Sequence, residues 1–220
     1  MSKFEKLNII YEDKNIIVVD KPANMLTIAT EKEREKTLFH KVIEYEKKKN
    51  KNNKIFIVHR LDKNTSGIVV FAKNQKIKQL LQNNWDNLAV KRQYVAIVEG
   101  HPQSSGTIKS YLKENKELYV YSSNKKGDGK LAITNYRLVA TKGKYSLLEI
   151  EIKTGRKNQI RVHMSDINTP IIGDKKYNAK TNPIRRLGLH ANKLVLINPL
   201  TNKEMVFESD LPNSFINLFN

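Results

Sequence analysis

The chain has 220 residues, enough for one large domain or two small ones with a real core, and its 40 Lys and Arg against 22 Asp and Glu give a formal charge of +18. Without a single Cys it can form no disulfide, no thiolate nucleophile and no Cys-ligated zinc site. The opening MSKFEKLNII lacks the apolar core of a signal peptide and no apolar stretch reaches transmembrane length, so a cytoplasmic protein without a membrane partner is expected. The charge excess points to a polyanion such as RNA or DNA; a lysine-rich solvated surface is the bland alternative.

In chain order, NIIVVDKPANML (15–26) predicts a strand ending at Asp20 and a Pro-Ala turn. KTLFHKVIEYEKKK (36–49) predicts an amphipathic helix with Leu38, Val42, Ile43 and Tyr45 on its apolar face. KKKNKNNK (47–54) reads as a mobile basic loop. KIFIV (54–58) and IVVFAK (68–73) predict two strands, and NQKIKQLLQNNWDN (74–87) a helix with Ile77, Leu80, Leu81 and Trp85 together. KRQYVAIVEG (91–100) predicts a strand with Tyr94, Ala96 and Val98 on one side, closed by Gly100. Two strands around a Gly-rich basic turn follow over 118–140, then a strand over 145–155 and a helix over 156–168 opened by Thr154 and Gly155. Strands over 192–199 and 203–210 precede a short helix from Pro212. Strands outnumber helices and several adjoin through short turns, which predicts an α+β fold with a largely antiparallel sheet. No composition break or repeat divides the chain, so one catalytic domain over 1–220 is expected.

HRLDKNTSG (59–67) stands out because it places His59, Arg60 and Asp62 straight after a buried strand, where charge is costly. Loops at strand ends present catalytic groups; a turn-initiating Asp is the structural alternative. Arg156, Arg161 and His163 gather near a predicted helix start, which attracts anions. Tyr94 lies beside Lys91 and Arg92, the pairing that stacks a base and holds its phosphate, although a strand tyrosine can also be plain core. HRLD and HMSD each carry a His-x-x-Asp spacing, but the wider ligand pattern of a metal site is missing. There is no P-loop and no GxGxxG after a strand, so neither a nucleotide cofactor nor a metal is expected.

VHRLDKNTSGIVVFAKN (58–74) resembles the catalytic motif of the RluA family of pseudouridine synthases. The likeness continues, in family order, through IIYEDKNIIVVDKPANM (9–25), KRQYVAIVEG (91–100), TGRKNQIRVHMSDINTPIIGDKKY (154–177) and RLGLHANKLVLINPLTNKEMVFESDLP (186–212). Lys157-Asn158 stand where that arginine motif usually reads Thr-His, and the S4 RNA-binding domain of many relatives is not expected here.

The resemblance implies a pseudouridine synthase fold, a mixed, largely antiparallel sheet with flanking helices and a central RNA-binding cleft. It implies uridine isomerisation in RNA, ribosomal RNA being the commoner target and transfer RNA the other, on a stem-loop substrate and by a monomer without a cofactor. Carried onto this sequence, Asp62 acts at the sugar, either attacking C1′ or removing a proton from C2′. Arg161 pairs with Asp62, Tyr94 stacks on the uracil, Ile160 and Val162 wall the pocket, and Arg60 fills the space the flipped base leaves. The clusters Lys47, Lys48, Lys49 and Lys51, and Lys125, Lys126 and Lys130, suit phosphates. A non-catalytic RNA-binding or ribosome-assembly factor on the same fold, and a nuclease using His59 and His163, are the rival readings.

Overall fold

A computed structural model describes residues 7–31 and 33–220, which form a mixed α+β fold with largely antiparallel strand pairing. They divide into two compact units, one built from residues up to 90 plus 193–209, the other from 91–192 plus 210–220.

In the first unit β1 (Asn8–Glu12) pairs with β2 (Ile16–Lys21), and β2 with β4 (Ser66–Ala72), both antiparallel. The two-residue β3 (Phe56–Ile57) also pairs with β4. Val18, Val70, Ile68 and Ala72 face a core closed by Ile77 and Leu81 of α2 (Gln75–Asn83). Asn74 starts that helix by accepting the Ile77 amide at 2.9 Å, which satisfies an otherwise orphaned donor. The predicted helix over 74–87 breaks at Asn84 into α2 and a short α3 (Trp85–Leu88).

Helix α1 (Leu38–Lys49) is capped by Thr37, whose hydroxyl accepts the His40 amide at 3.2 Å. It corrects two expectations. Lys47, Lys48 and Lys49 are its last turn rather than a loop, where cations complement the helix dipole. Glu46, not Ile43 or Tyr45, is buried with Leu38 and Val42, because Lys49, Lys73 and the Asn53 amide satisfy its carboxylate.

In the second unit β5 (Lys91–Glu99) pairs antiparallel with β9 (Tyr145–Ile152), and β9 with β8 (Lys130–Lys142). Both β8 and β7 (Val120–Ser123) pair with β6 (Ser105–Glu114), a strand the sequence reading passed over. Strand β5 alternates as expected: Ala96 and Val98 enter one core with Tyr94 packed on its edge, Val95 and Ile97 enter another. Helix α4 (Gln159–Asp166) packs on the first of these cores, and α5 (Asn213–Phe219) puts Phe215 into the second. Strand β10 (Leu189–Ile197) contributes residues to both units, and β11 (Glu204–Glu208) pairs with its first-unit half. Among the described residues no helix is long and apolar enough to cross a membrane.

Candidate active site

Asp62 sits in the first unit on the turn between β3 and β4, partly exposed, with the Thr65 amide donating to its carbonyl at 3.2 Å. The turn is braced on both sides of the carboxylate. The buried Thr27 hydroxyl donates to the Leu61 carbonyl at 2.8 Å and accepts the Leu61 amide at 3.2 Å. Thr27 is itself anchored, because the Phe39 amide of α1 donates to its carbonyl at 3.0 Å. On the other side the ammonium of Lys21, wholly buried, donates to the carbonyls of Pro22, Met25 and Lys63 at 2.8–3.1 Å. The buried ammonium thus ties the Lys63 carbonyl, one residue past Asp62, to the Pro22–Met25 segment and fixes the turn. Neither Thr27 nor Lys21 was picked out from the sequence. The signal for Lys21 was a charged residue closing a strand of buried Ile and Val.

His59 has a structural task. Its Nε2 accepts the Val70 amide at 3.1 Å, and its ring stacks on Trp85 with centroids 4.5 Å apart. An imidazole that accepts from the backbone is neutral, with its proton on Nδ1. Arg60 next to it is exposed.

In the second unit Arg161 is held in a buried clamp. Its Nε and one terminal nitrogen donate side by side to the two oxygens of Asp174, at 2.6 and 2.7 Å. The other terminal nitrogen donates to Asn158 at 3.0 Å, and the guanidinium lies over the Tyr177 ring at 4.8 Å. Asn158 also donates to the Tyr177 hydroxyl at 3.0 Å. It can do both because it stands at the start of α4 with φ +55°, a left-handed conformation asparagine tolerates better than most side chains. So the residue in place of the motif's usual histidine orients the arginine. Asp174 is aimed by Gly173, whose φ is +76° and whose missing Cβ would lie 2.4 Å from the Arg186 carbonyl. Asp174 and Tyr177 escaped the sequence reading as site residues; the Gly-Asp pair after the apolar Ile171-Ile172 was their signal.

The approach to α4 is equally constrained. Gln159 accepts from the Thr154 hydroxyl and the Arg156 amide, and donates to the Ile133 carbonyl and the Thr134 hydroxyl, all within 2.8–3.1 Å. Thr134 therefore has its own proton to give His163 Nδ1 at 2.8 Å, which leaves Nε2–H to donate to Ser110 at 3.0 Å. Burial lowers the His163 pKa to about 4, so the ring is neutral. Both histidines of the nuclease reading are thus structural. Among the described residues no three His, Cys, Asp or Glu gather as a metal cluster.

Ile160 and Val162 flank Arg161 and enter separate core clusters, Ile160 with Ala96, Leu148 and Met164, Val162 with Leu112, Val120 and Tyr177. Tyr94, partly buried, packs on the edge of the Ile160 cluster. The second unit therefore carries Ile160, Arg161 and Val162 on α4, with Tyr94 at the edge of the Ile160 cluster and Val162 in a separate one, and the first carries Arg60 and Asp62 on one turn. Of the phosphate-binding lysines expected from sequence, Lys125, Lys126 and Lys130 are exposed, while Lys49 is engaged by Glu12 and Glu46.

Residues 15–166 match the family model described as RNA pseudouridylate synthase. A Bacillus subtilis protein described as an uncharacterized RNA pseudouridine synthase, YhcT, is 32% identical over 98% of this chain and 72% of its own. The ribosomal large subunit pseudouridine synthase D of Borreliella burgdorferi is 37% identical over 94% of this chain and 66% of its own. Human RNA pseudouridylate synthase domain containing 4 shares the fold, with a TM-score of 0.79 at 23% identity over 95% of this chain and 90% of that one.

Proposed function

This chain belongs to the RluA family of RNA pseudouridine synthases, and from that premise we propose that it isomerises specific uridines in stem-loops of large-subunit ribosomal RNA, with Asp62 as the group that acts on the sugar. In the reaction the N1–C1′ bond breaks, the uracil turns, and C5 joins C1′; the C5 proton leaves and N1 takes one up. Nothing is oxidised and no group leaves the RNA, so the chemistry calls for no cofactor. Asp62 either adds to C1′ or takes the C2′ proton, and both routes need an ionised, immobile carboxylate.

One observation carries the assignment of Asp62: its turn is braced at Leu61 by Thr27 and at Lys63 by Lys21, rigidity beyond what a surface turn needs. Arg161 serves the same step as a cationic donor whose orientation Asp174 and Asn158 fix. Tyr94 stacks on the detached uracil, Ile160 and Val162 keep Arg161 in register, and the exposed Arg60 replaces the flipped base in the RNA. The protein acts as one catalytic domain, as a monomer in the cytoplasm. The name of the Borreliella burgdorferi relative favours ribosomal over transfer RNA.

Incubating the purified chain with ribosomal RNA fragments and with transfer RNA, then reading pseudouridine and strand breaks together, tests this. Pseudouridine in the ribosomal fragment with intact strands is the expected result. Binding without modification would favour the assembly-factor reading, and cut strands the nuclease.

A further inference from the structure

The second unit carries a cavity of about 420 Å3 that none of the roles above employs. Its apolar floor is Leu112 and Val120, which belong to the core cluster that also holds Val162 of α4. Four cations line it, Lys113, Lys130, Arg156 and Lys157, against one acid, Glu114. Lys157 is ion-paired with Glu114, and Lys113 reaches Asp128 at 2.7 Å while lying 5.2 Å from the Tyr121 ring centroid. The wall is shaped by Gly129, whose φ is +124° and whose Cβ would meet the Leu112 carbonyl at 2.6 Å. That close approach brings the Gly-rich turn and Lys130 down onto strand β6.

An apolar floor under a cationic rim suits a flat apolar ring carrying an anion. The volume falls in the range of small-ligand pockets and admits one nucleotide. Residues 155–157 of its wall run directly into the helix that carries Arg161. We infer that this cavity is a second nucleotide site, which takes an unstacked nucleotide of the substrate RNA with its base on Leu112 and Val120 and its phosphate among Lys130, Arg156 and Lys157. Selection of the target then has a component inside this unit, and Lys157, which departs from the family's usual threonine, is part of it. The identity of the RNA rests on the synthase reading; the nucleotide site does not.

Because Glu114 competes with a phosphate for Lys157, variants on the two sides of that ion pair must act in opposite directions. Glu114→Gln should tighten binding of a ribosomal stem-loop about threefold, and the double variant Lys130→Gln/Lys157→Gln should weaken it about tenfold, with a shallower salt dependence. Adenosine 5′-monophosphate, titrated into the isotope-labelled protein, should shift the Gly129 and Gly155 amides saturably in the parent and less in the double variant. Affinities within twofold of the parent in both variants, or Gly129 and Gly155 amides that do not respond to the mononucleotide, would overturn the site. Neither readout requires pseudouridine formation, so failure of the synthase reading is separately visible.

Discussion

Asp174 illustrates how much a single buried residue can decide. Its two oxygens take two donors of Arg161, and both side chains are almost out of water. Removing one member of such a pair leaves the other charge uncompensated, at roughly 3–5 kcal/mol. Asp174→Asn should therefore lower unfolding free energy by about that amount, read by denaturant titration, and slow single-turnover pseudouridine formation on the folded fraction. Asp174→Glu, which keeps the charge, should recover part of the rate. Equal rates for parent and Asp174→Asn would separate Arg161's orientation from catalysis.

His163 makes a pH-dependent contribution whose sign is fixed by its burial. Its folded pKa of about 4 lies below the ordinary histidine value of 6.5, so between these values the unfolded chain binds the extra proton. The contribution is complete above about pH 6.5 and is lost as pH falls toward 4, up to roughly 3 kcal/mol. Urea titrations from pH 7 to 4.5 should show that loss, and His163→Gln should flatten it.

At the scale of elements, the Asp62 turn is tied to helix α1 through Thr27, which receives the Phe39 amide on its backbone and both polar groups of Leu61 on its hydroxyl. Thr27→Val keeps the shape and deletes the hydroxyl. It should cost about 1–3 kcal/mol, from two buried groups left unsatisfied, and should reduce kcat more than it changes RNA affinity. A variant with parental kcat would show that the brace does not position Asp62.

Much of this architecture was readable because period and caps agree locally. Strands β2, β4, β5 and β9 are runs of Ile, Val and Leu whose burial needs no distant information, and Thr37 and Asn74 mark their helices. Strand β6 was missed because SGTIKSYLKE is half polar; it is a strand through pairing with β7 and β8, which are remote in sequence. The start of α4 was misplaced for a related reason. Thr154 and Gly155 look like a cap, but Thr154 spends its hydroxyl on Ile133 and Gln159, and the helix begins after Asn158. At the site, Asp62, Arg60 and Arg161 were conspicuous as charges among apolar neighbours. Asp174, Thr27 and Lys21 matter through partners 13 to 42 positions away, which no local pattern encodes.

For the molecule as a whole, the formal charge of +18 sets how it meets RNA. Lysines that neutralise phosphates release counterions, so an interface covering about six phosphates loses on the order of a thousandfold in affinity between ~50 and ~200 mM salt. Stem-loop binding measured across that range should give a steep negative log–log slope. A flat dependence would mean that the charge is a solvated surface only.

The central claim is that Asp62 performs the chemistry while other contacts supply affinity. Asp62→Asn preserves the size and shape of the side chain and removes its charge. Pseudouridine formed by the purified parent and this variant, on the same ribosomal stem-loop at saturating protein, is the direct measurement. The expected result is at least a thousandfold loss, on the order of what removal of an essential catalytic group causes, with stem-loop affinity within a few-fold of the parent's. Pseudouridine appearing in the variant at a rate near the parent's would contradict the assignment.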